Sequence, residues 1–591
     1  MKCNEPQPSL PASRTTIPVL ALLGLIFLLG IVGSDTPNPE LAKIENDYRQ
    51  KVLKDEPYFR LKYGLPIEEL PDVSFERQKS DAVFSQSILG RLSKIDPGSL
   101  SHEDLLSYEI LEWQNRKQID GVKYFWFLSP VTPYASRITV VHRIFTEYRF
   151  DGAKDSNHYI ELLRMYPAFV KKTLERVREE YNRGIVLPAV ELTQVLGFLQ
   201  SFQQPPEKSI FYVKSERLGS LPAAGQQKFQ ADVASVIESE VNPSLKALTD
   251  FLSSDYKSKA PASVGLAQYP GGKEAYQYLV GYHTTMDVTP EAVHEIGIKE
   301  VARINAEMQK IRDSLGFKGT KAEFHKFLKT DPRFFPKTAD EIGQKLMAHI
   351  HRIEPKVDQF FLRKPVAPYG VKRLNPALEP AMTFGYYQDP TKTESSGFYF
   401  YNGSNLSQRS LLFSAALIYH ELIPGHHFQF CLQSENQSLP HFRREIYQTA
   451  YVEGWGEYAS ALAGEMGMYE DPYDHYGRLA MEMFLSNRLV VDTAMNYLGW
   501  SREKAMEFMK ENTLASDAEI ATETLRYSTD IQGQALAYKM GSNRIFDLRE
   551  KAKQKMKDRF DIRKFHDAVL GSGSMPMSVL EQHIEWFTTK Q

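Results

Sequence analysis

The chain has 591 residues, with 71 Lys and Arg against 74 Asp and Glu, a formal charge of −3. That balance excludes a nucleic-acid binder working through net positive charge, and 42% hydrophobic with 12% aromatic residues excludes a mainly disordered chain. Two cysteines, Cys3 and Cys431, with no CxxC, exclude a disulfide framework, a thiolate zinc site and thioredoxin-like chemistry.

The first element is an address rather than fold. Residues 17–32, IPVLALLGLIFLLGIV, form one apolar run after Lys2 and Arg14, followed by Gly33, Ser34 and a polar linker. A basic flank, an apolar middle and small exit residues predict a secretory signal over residues 1–34, or an uncleaved membrane anchor through residues 17–33. At 16 residues the run is short of the ~20 that a bilayer span needs. No cysteine follows it, so a lipid-modified N-terminus is not expected. The protein is expected on the periplasmic or extracellular side, either free or tethered by this segment.

The remainder reads as mainly helical. Apolar residues at three- and four-residue steps predict a helix over 159–184 that stops at Asn-Arg-Gly. Thr289-Pro290-Glu291 predicts an N-cap with proline in the first turn, opening a helix that closes at Gly316. Another helix is expected over 338–361, and further long ones over 226–254, 404–420, 443–466 and 476–497. The clearest strand is Gly397–Tyr401, aromatic-rich and bounded by glycine and asparagine; a second is expected over 382–387. Proline-rich turns near 203–206, 260–272 and 363–380 separate helical blocks, and none is long enough for a flexible interdomain linker. Chain length alone suggests roughly four domains.

Chemistry concentrates between residues 397 and 541. The segment SLLFSAALIYHELIPGHHFQFCLQ holds His420, Glu421, His426 and His427. Imidazoles that bind zinc and a carboxylate that activates water are the groups a catalytic zinc site needs. The common helical form is HExxH, but here Pro424 occupies the second histidine's position. On an unbroken helix a six-residue step turns about 600°, so His420 and His426 would diverge. A seven-residue step returns His427 to the same face but roughly 10 Å further along. Proline removes a backbone donor and glycine permits unusual dihedrals, so Pro424-Gly425 predicts a distorted helix that brings one of the two histidines back beside His420. The cost of about 3 kcal/mol for a proline inside an apolar helix argues for a functional reason. A third ligand is expected from a later helix, where YVEGWGEYASALAGEM offers Glu453 and Glu457 on one face. Glu453 follows His420 by 33 residues, which suits a helical return, and Gly454 and Gly456 permit close helix approach. Two histidines and one glutamate leave a fourth position open for water.

YHELIPGHHFQ, EGWGEYA and GQALAYKMG together resemble the bacterial DUF885 family over roughly residues 40–588, with HE-x-x-PGH the most specific part. Members of that family look like gluzincin-type zinc metallopeptidases, distantly similar to the helical oligopeptidase and angiotensin-converting-enzyme folds. The resemblance implies Zn2+ held by His420, His426 and Glu453, with Glu421 as general base. It makes His427 either a supporting group behind the ligands or a substrate-side group. Residues Arg526–Ile545 resemble the family segment that ends in GQALAYKIG, with Gln532 in place of a proline. There the resemblance implies a tyrosine that stabilises the oxyanion, Tyr538 first and Tyr527 second. Residues Arg488–Trp500 resemble VDTG-x-H, with Ala494 for glycine and Asn496 for histidine. If the histidine contacts substrate, Asn496 alters specificity or weakens turnover, because an amide donates a hydrogen bond but carries no proton. In gluzincin-like sites an edge strand before the metal helix pairs with the extended substrate, which makes Tyr401 and Asn402 candidate substrate contacts.

The fold expected is therefore mainly α: one helical catalytic domain over 35–591, with two lobes about a cleft and a small β-sheet beside it. The activity expected is cleavage of short peptides. Its rivals are a metal-dependent amidohydrolase acting on a non-peptide amide and a non-catalytic zinc-containing binding protein.

Overall fold

Short polar caps set where the helices begin. Thr289 accepts a hydrogen bond from Ala292 N at the head of the helix Pro290–Ser314, and Thr338 does the same for Glu341 N at the head of Ala339–Ile353. Gly316, at φ +70°, closes the first of these by adopting the left-handed conformation that a side chain resists. Pro355 removes the donor needed to prolong the second, which passes into a 3₁₀ turn over Glu354–Gln359. These features belong to a computed structural model that describes residues 37–134, 136–219, 221–376, 379, 385–392 and 394–590. The expected signal or anchor over residues 1–34 lies outside the described residues. Among those described, no helix is long and apolar enough to cross a membrane.

The molecule is mainly α, as its periodicity predicts, with one three-stranded sheet. The helix read over 159–184 runs from Ala153 to Asn182 and continues through Pro167. The stretch 226–254 is helical from Ala223 to Ser253, with one π turn over Ile237–Val241. The segment 443–466 is not one helix. It breaks into His441–Glu445 and Thr449–Glu465, because Ile446 and Gln448 both take extended backbone.

Buried side chains form several cores. One gathers the first half of the chain around Tyr159, Leu163, Val195 and Leu248. Another joins residues far apart in sequence, Leu41 and Ile44 with Ile418, Trp455, Ile545 and Leu580. Each buried aliphatic side chain contributes about 1.5–3 kcal/mol to this association. That second core underlies the segment where the candidate ligands sit.

The sheet has the order β1 (Tyr369–Arg373), β3 (Gly397–Tyr401), β2 (Gly385–Gln388). β3 runs parallel to β1 and antiparallel to β2. The aromatic strand expected at the sheet edge is thus the central strand. Its backbone groups are paired on both sides, so it cannot take an extended substrate as an added strand. Of the second expected strand, residues 385–387 lie in β2, and residues 382–384 lie outside the described residues.

Candidate metal centre

The helix Ser414–Glu421 ends immediately after His420 and Glu421. Leu422 leaves helical geometry at φ −106°, ψ −93°, and the Ile423–Pro424 peptide bond is cis. The chain re-enters a helix at His426. Gly425 is required at the fold-back, because a Cβ there would lie 1.8 Å from the His420 carbonyl oxygen. The turn cancels the divergence of a six-residue helical step. The His420 and His426 rings come to 4.6 Å between centroids at 82°. Trp455 fixes the turn by donating from Nε1 to the Pro424 carbonyl at 2.9 Å.

Glu453 arrives from the helix Thr449–Glu465, which approaches closely because its glycines leave room. A Cβ on Gly456 would stand 2.8 Å from the His420 ring, and one on Gly454 would meet the backbone of Gly541 at 2.5 Å. Ligand atoms of His420, His426 and Glu453 all lie within 4.8 Å of one another. Glu453 Oε2 stands 3.7 Å from His420 Nε2 and 3.5 Å from His426 Nε2. Atoms sharing one tetrahedral zinc at roughly 2.0–2.2 Å stand about 3.4 Å apart, so the donor set fits zinc in both chemistry and spacing. Burial opposes ionisation of Glu453, yet the two imidazoles beside it outweigh burial and hold the carboxyl well below its usual range. Burial pushes Glu421 up to about 7, with His426 opposing and Glu453 adding to the rise.

The neighbouring acids and imidazoles do other work. Glu457 is fully buried and accepts from Arg478 at 2.8 Å. His427 is also fully buried. Its Nδ1 meets the Tyr387 hydroxyl at 2.9 Å and its Nε2 meets the Ala367 carbonyl at 3.0 Å, so both ring nitrogens are engaged by the sheet region. A role for His427 at the substrate is not supported by this placement.

Tyr538 lies half-buried beside the triad, its ring 6.2 Å from that of His420 at 20°, with the Arg488 guanidinium 4.9 Å from the Tyr538 ring centroid. Tyr527 is fully buried. Its hydroxyl accepts from Arg488 Nε at 2.6 Å and donates to Glu523, leaving no proton for an oxyanion. Asn496 is fully buried as well. Its Oδ1 accepts from Leu266 N at 3.1 Å, and its Nδ2 donates to Asp492 and to the Tyr527 carbonyl at 3.0 Å. Tyr401 packs against Gly343, and Asn402 donates to the Glu379 carbonyl at 2.7 Å while accepting from Ser404. Tyr527, Asn496, Tyr401 and Asn402 therefore hold the fold together, where substrate or oxyanion contacts are expected from sequence.

Tyr447 is the residue that sequence reasoning missed. It donates its hydroxyl to Glu453 Oε1 at 3.1 Å and presents 48% of its surface. The ring opens onto a cavity of about 620 Å³ shared with Tyr48, Arg49, Tyr282, Glu445 and Gln532. Its hydroxyl is deep enough that desolvation, followed by the Glu453 carboxylate, raises it well above the usual phenol value. The only sequence signal was an aromatic residue just before the Glu453 helix.

The sequence matches a family model described as a bacterial protein of unknown function, DUF885, over residues 57–584. Among solved structures, a candidate lipoprotein from Colwellia psychrerythraea is 26% identical, with 93% of this chain and 99% of that chain covered and a TM-score of 0.85. A candidate lipoprotein of unknown function from Shewanella oneidensis is 18% identical, covers 92% and 99% of the two chains, and shares the fold with a TM-score of 0.72. No curated protein matches.

Proposed function

The chain belongs to the DUF885 family, and we propose that within it this protein is a gluzincin-like zinc hydrolase that cleaves peptide bonds in short peptides. The convergence of His420, His426 and Glu453 within 4.8 Å carries this reading. The chemistry zinc supplies when bound is Lewis acidity, which polarises a carbonyl and lowers the pKa of water. His420 and His426 would hold the ion through their imidazoles and Glu453 through Oε2.

Glu421 follows His420 directly, and its buried carboxyl ionises near neutrality. It would take a proton at a carboxylate oxygen from the attacking water and return it to the leaving nitrogen. Tyr538, whose ring lies beside that of His420, would donate its phenolic proton to the oxygen that gains charge. The cavity behind Tyr447 suits a short, flexible chain better than a folded protein. The candidate-lipoprotein neighbours and the apolar segment over 17–33 support an exported protein, held at the membrane or released from it.

The test is a short-peptide library applied to zinc-loaded wild type and to Glu421→Gln. Wild type should cleave some member, and the variant should lose about 10²–10⁴-fold in rate while keeping its zinc. Zinc retained by a wild type that cleaves nothing would leave a binding protein as the better description.

A further inference from the structure

We infer that Tyr447 is a positioning residue of the metal centre, holding Glu453 to one ligating oxygen so that a coordination position stays open. This rests on the zinc reading above. The extended conformations of Ile446 and Gln448 interrupt what would otherwise be one helix, and they set Tyr447 between the helices His441–Glu445 and Thr449–Glu465. From there its hydroxyl reaches the Glu453 side chain six residues on, at 3.1 Å.

The two Glu453 oxygens have different neighbours. Oε2 faces His426 Nε2 at 3.5 Å and His420 Nε2 at 3.7 Å, whereas Oε1 accepts from Tyr447. A free carboxylate can offer both oxygens to zinc, which uses up the position that water and substrate need. A hydrogen bond on Oε1 turns that oxygen away and fixes the carboxylate plane. The phenol is itself held in place. Its ring stacks on Phe430 at 6.3 Å and 17°, and Phe430 lies 5.8 Å from the His426 ring. One aromatic stack thus joins the group orienting Glu453 to the second histidine ligand. The same ring lines the cavity, so Tyr447 touches both the ligand carboxylate and the cavity wall.

The experiment compares metal-stripped wild type with Tyr447→Phe, which keeps the ring and removes only the hydroxyl. Zinc affinity is measured by competition with a chelator, the visible spectrum is recorded after cobalt loading, and thermal midpoints are taken without metal. Zinc should bind the variant about 10–100-fold more weakly. Its cobalt bands should weaken and shift as Glu453 takes up two-oxygen coordination, and the metal-free midpoint should not move. Equal zinc affinity with an unchanged cobalt spectrum would overturn the inference. So would a fall in affinity accompanied by a lower metal-free midpoint and an unchanged spectrum, because that pattern is loss of packing. A wild type that binds no zinc would instead remove the zinc reading itself.

Discussion

Two polar clusters in this molecule are built on opposite rules. Around Asp492, every group finds a partner within the chain. Tyr276 donates to its carboxylate at 2.7 Å, Gly533 N at 3.1 Å and Asn496 at 3.0 Å, while Asn496 also accepts from Leu266 N. Around Glu453, the two imidazoles and the inner carboxylate oxygen converge to 3.5–3.7 Å without closing to ordinary hydrogen-bond length. A cluster that satisfies itself is scaffold. A cluster whose donors point at a common centre is arranged for a guest, and here the donors are those zinc prefers.

Substitutions at groups aimed at the common centre and at groups that the chain itself satisfies should therefore have opposite signatures. The largest contrast is between neighbours. His426→Ala should abolish stoichiometric zinc binding, whereas His427→Ala should keep the zinc and lose about 1–3 kcal/mol of stability, since it leaves Tyr387 and the Ala367 carbonyl without their partner. Metal analysis and thermal unfolding of the two variants separate these outcomes. In the scaffold cluster, Asn496→Ala should cost about 2–3 kcal/mol by stranding Leu266 N and the Asp492 side chain, and its zinc affinity should equal that of wild type. A zinc-deficient but stable Asn496→Ala protein would mean that the two clusters are not independent.

The same contrast explains what could be read from the sequence. The residues of the guest cluster were legible because their types are rare and their pattern is costly: a His-Glu pair, then Pro-Gly inside an apolar helix. Geometry alone left His426 and His427 open, because the choice depends on the dihedrals of Leu422 and Gly425, which residue types do not encode. Helical spacing likewise leaves Glu453 and Glu457 level, and the partner that claims Glu457, Arg478, lies on another helix. Asn496 and Tyr527 look functional in sequence because the partners that hold them are remote. Leu266 lies 230 residues from Asn496, and Arg488 lies 39 from Tyr527. The central position of β3 was hidden for the same reason, since β1 pairs with it across a crossover. Tyr447 was lost inside an apolar periodicity that runs through 443–466, whereas the backbone breaks there.

The helices themselves were well marked by their caps and periodicity, and most boundaries shifted by only a few residues. Departures came where a helix begins early, as at Ala153, or late, as at Ser414 after two 3₁₀ turns, or where a π turn extends it, as over Ala494–Leu498. Local propensity sets where a helix can begin, and packing against the core decides how far it runs.

The central claim is that His420, His426 and Glu453 act as one binding unit. Calorimetric titration of metal-stripped wild type and Glu453→Ala with zinc tests it most directly. The account predicts a single saturable site of about one ion per chain in wild type and its loss in the variant. No saturable binding in wild type, or the same isotherm in both proteins, would contradict it.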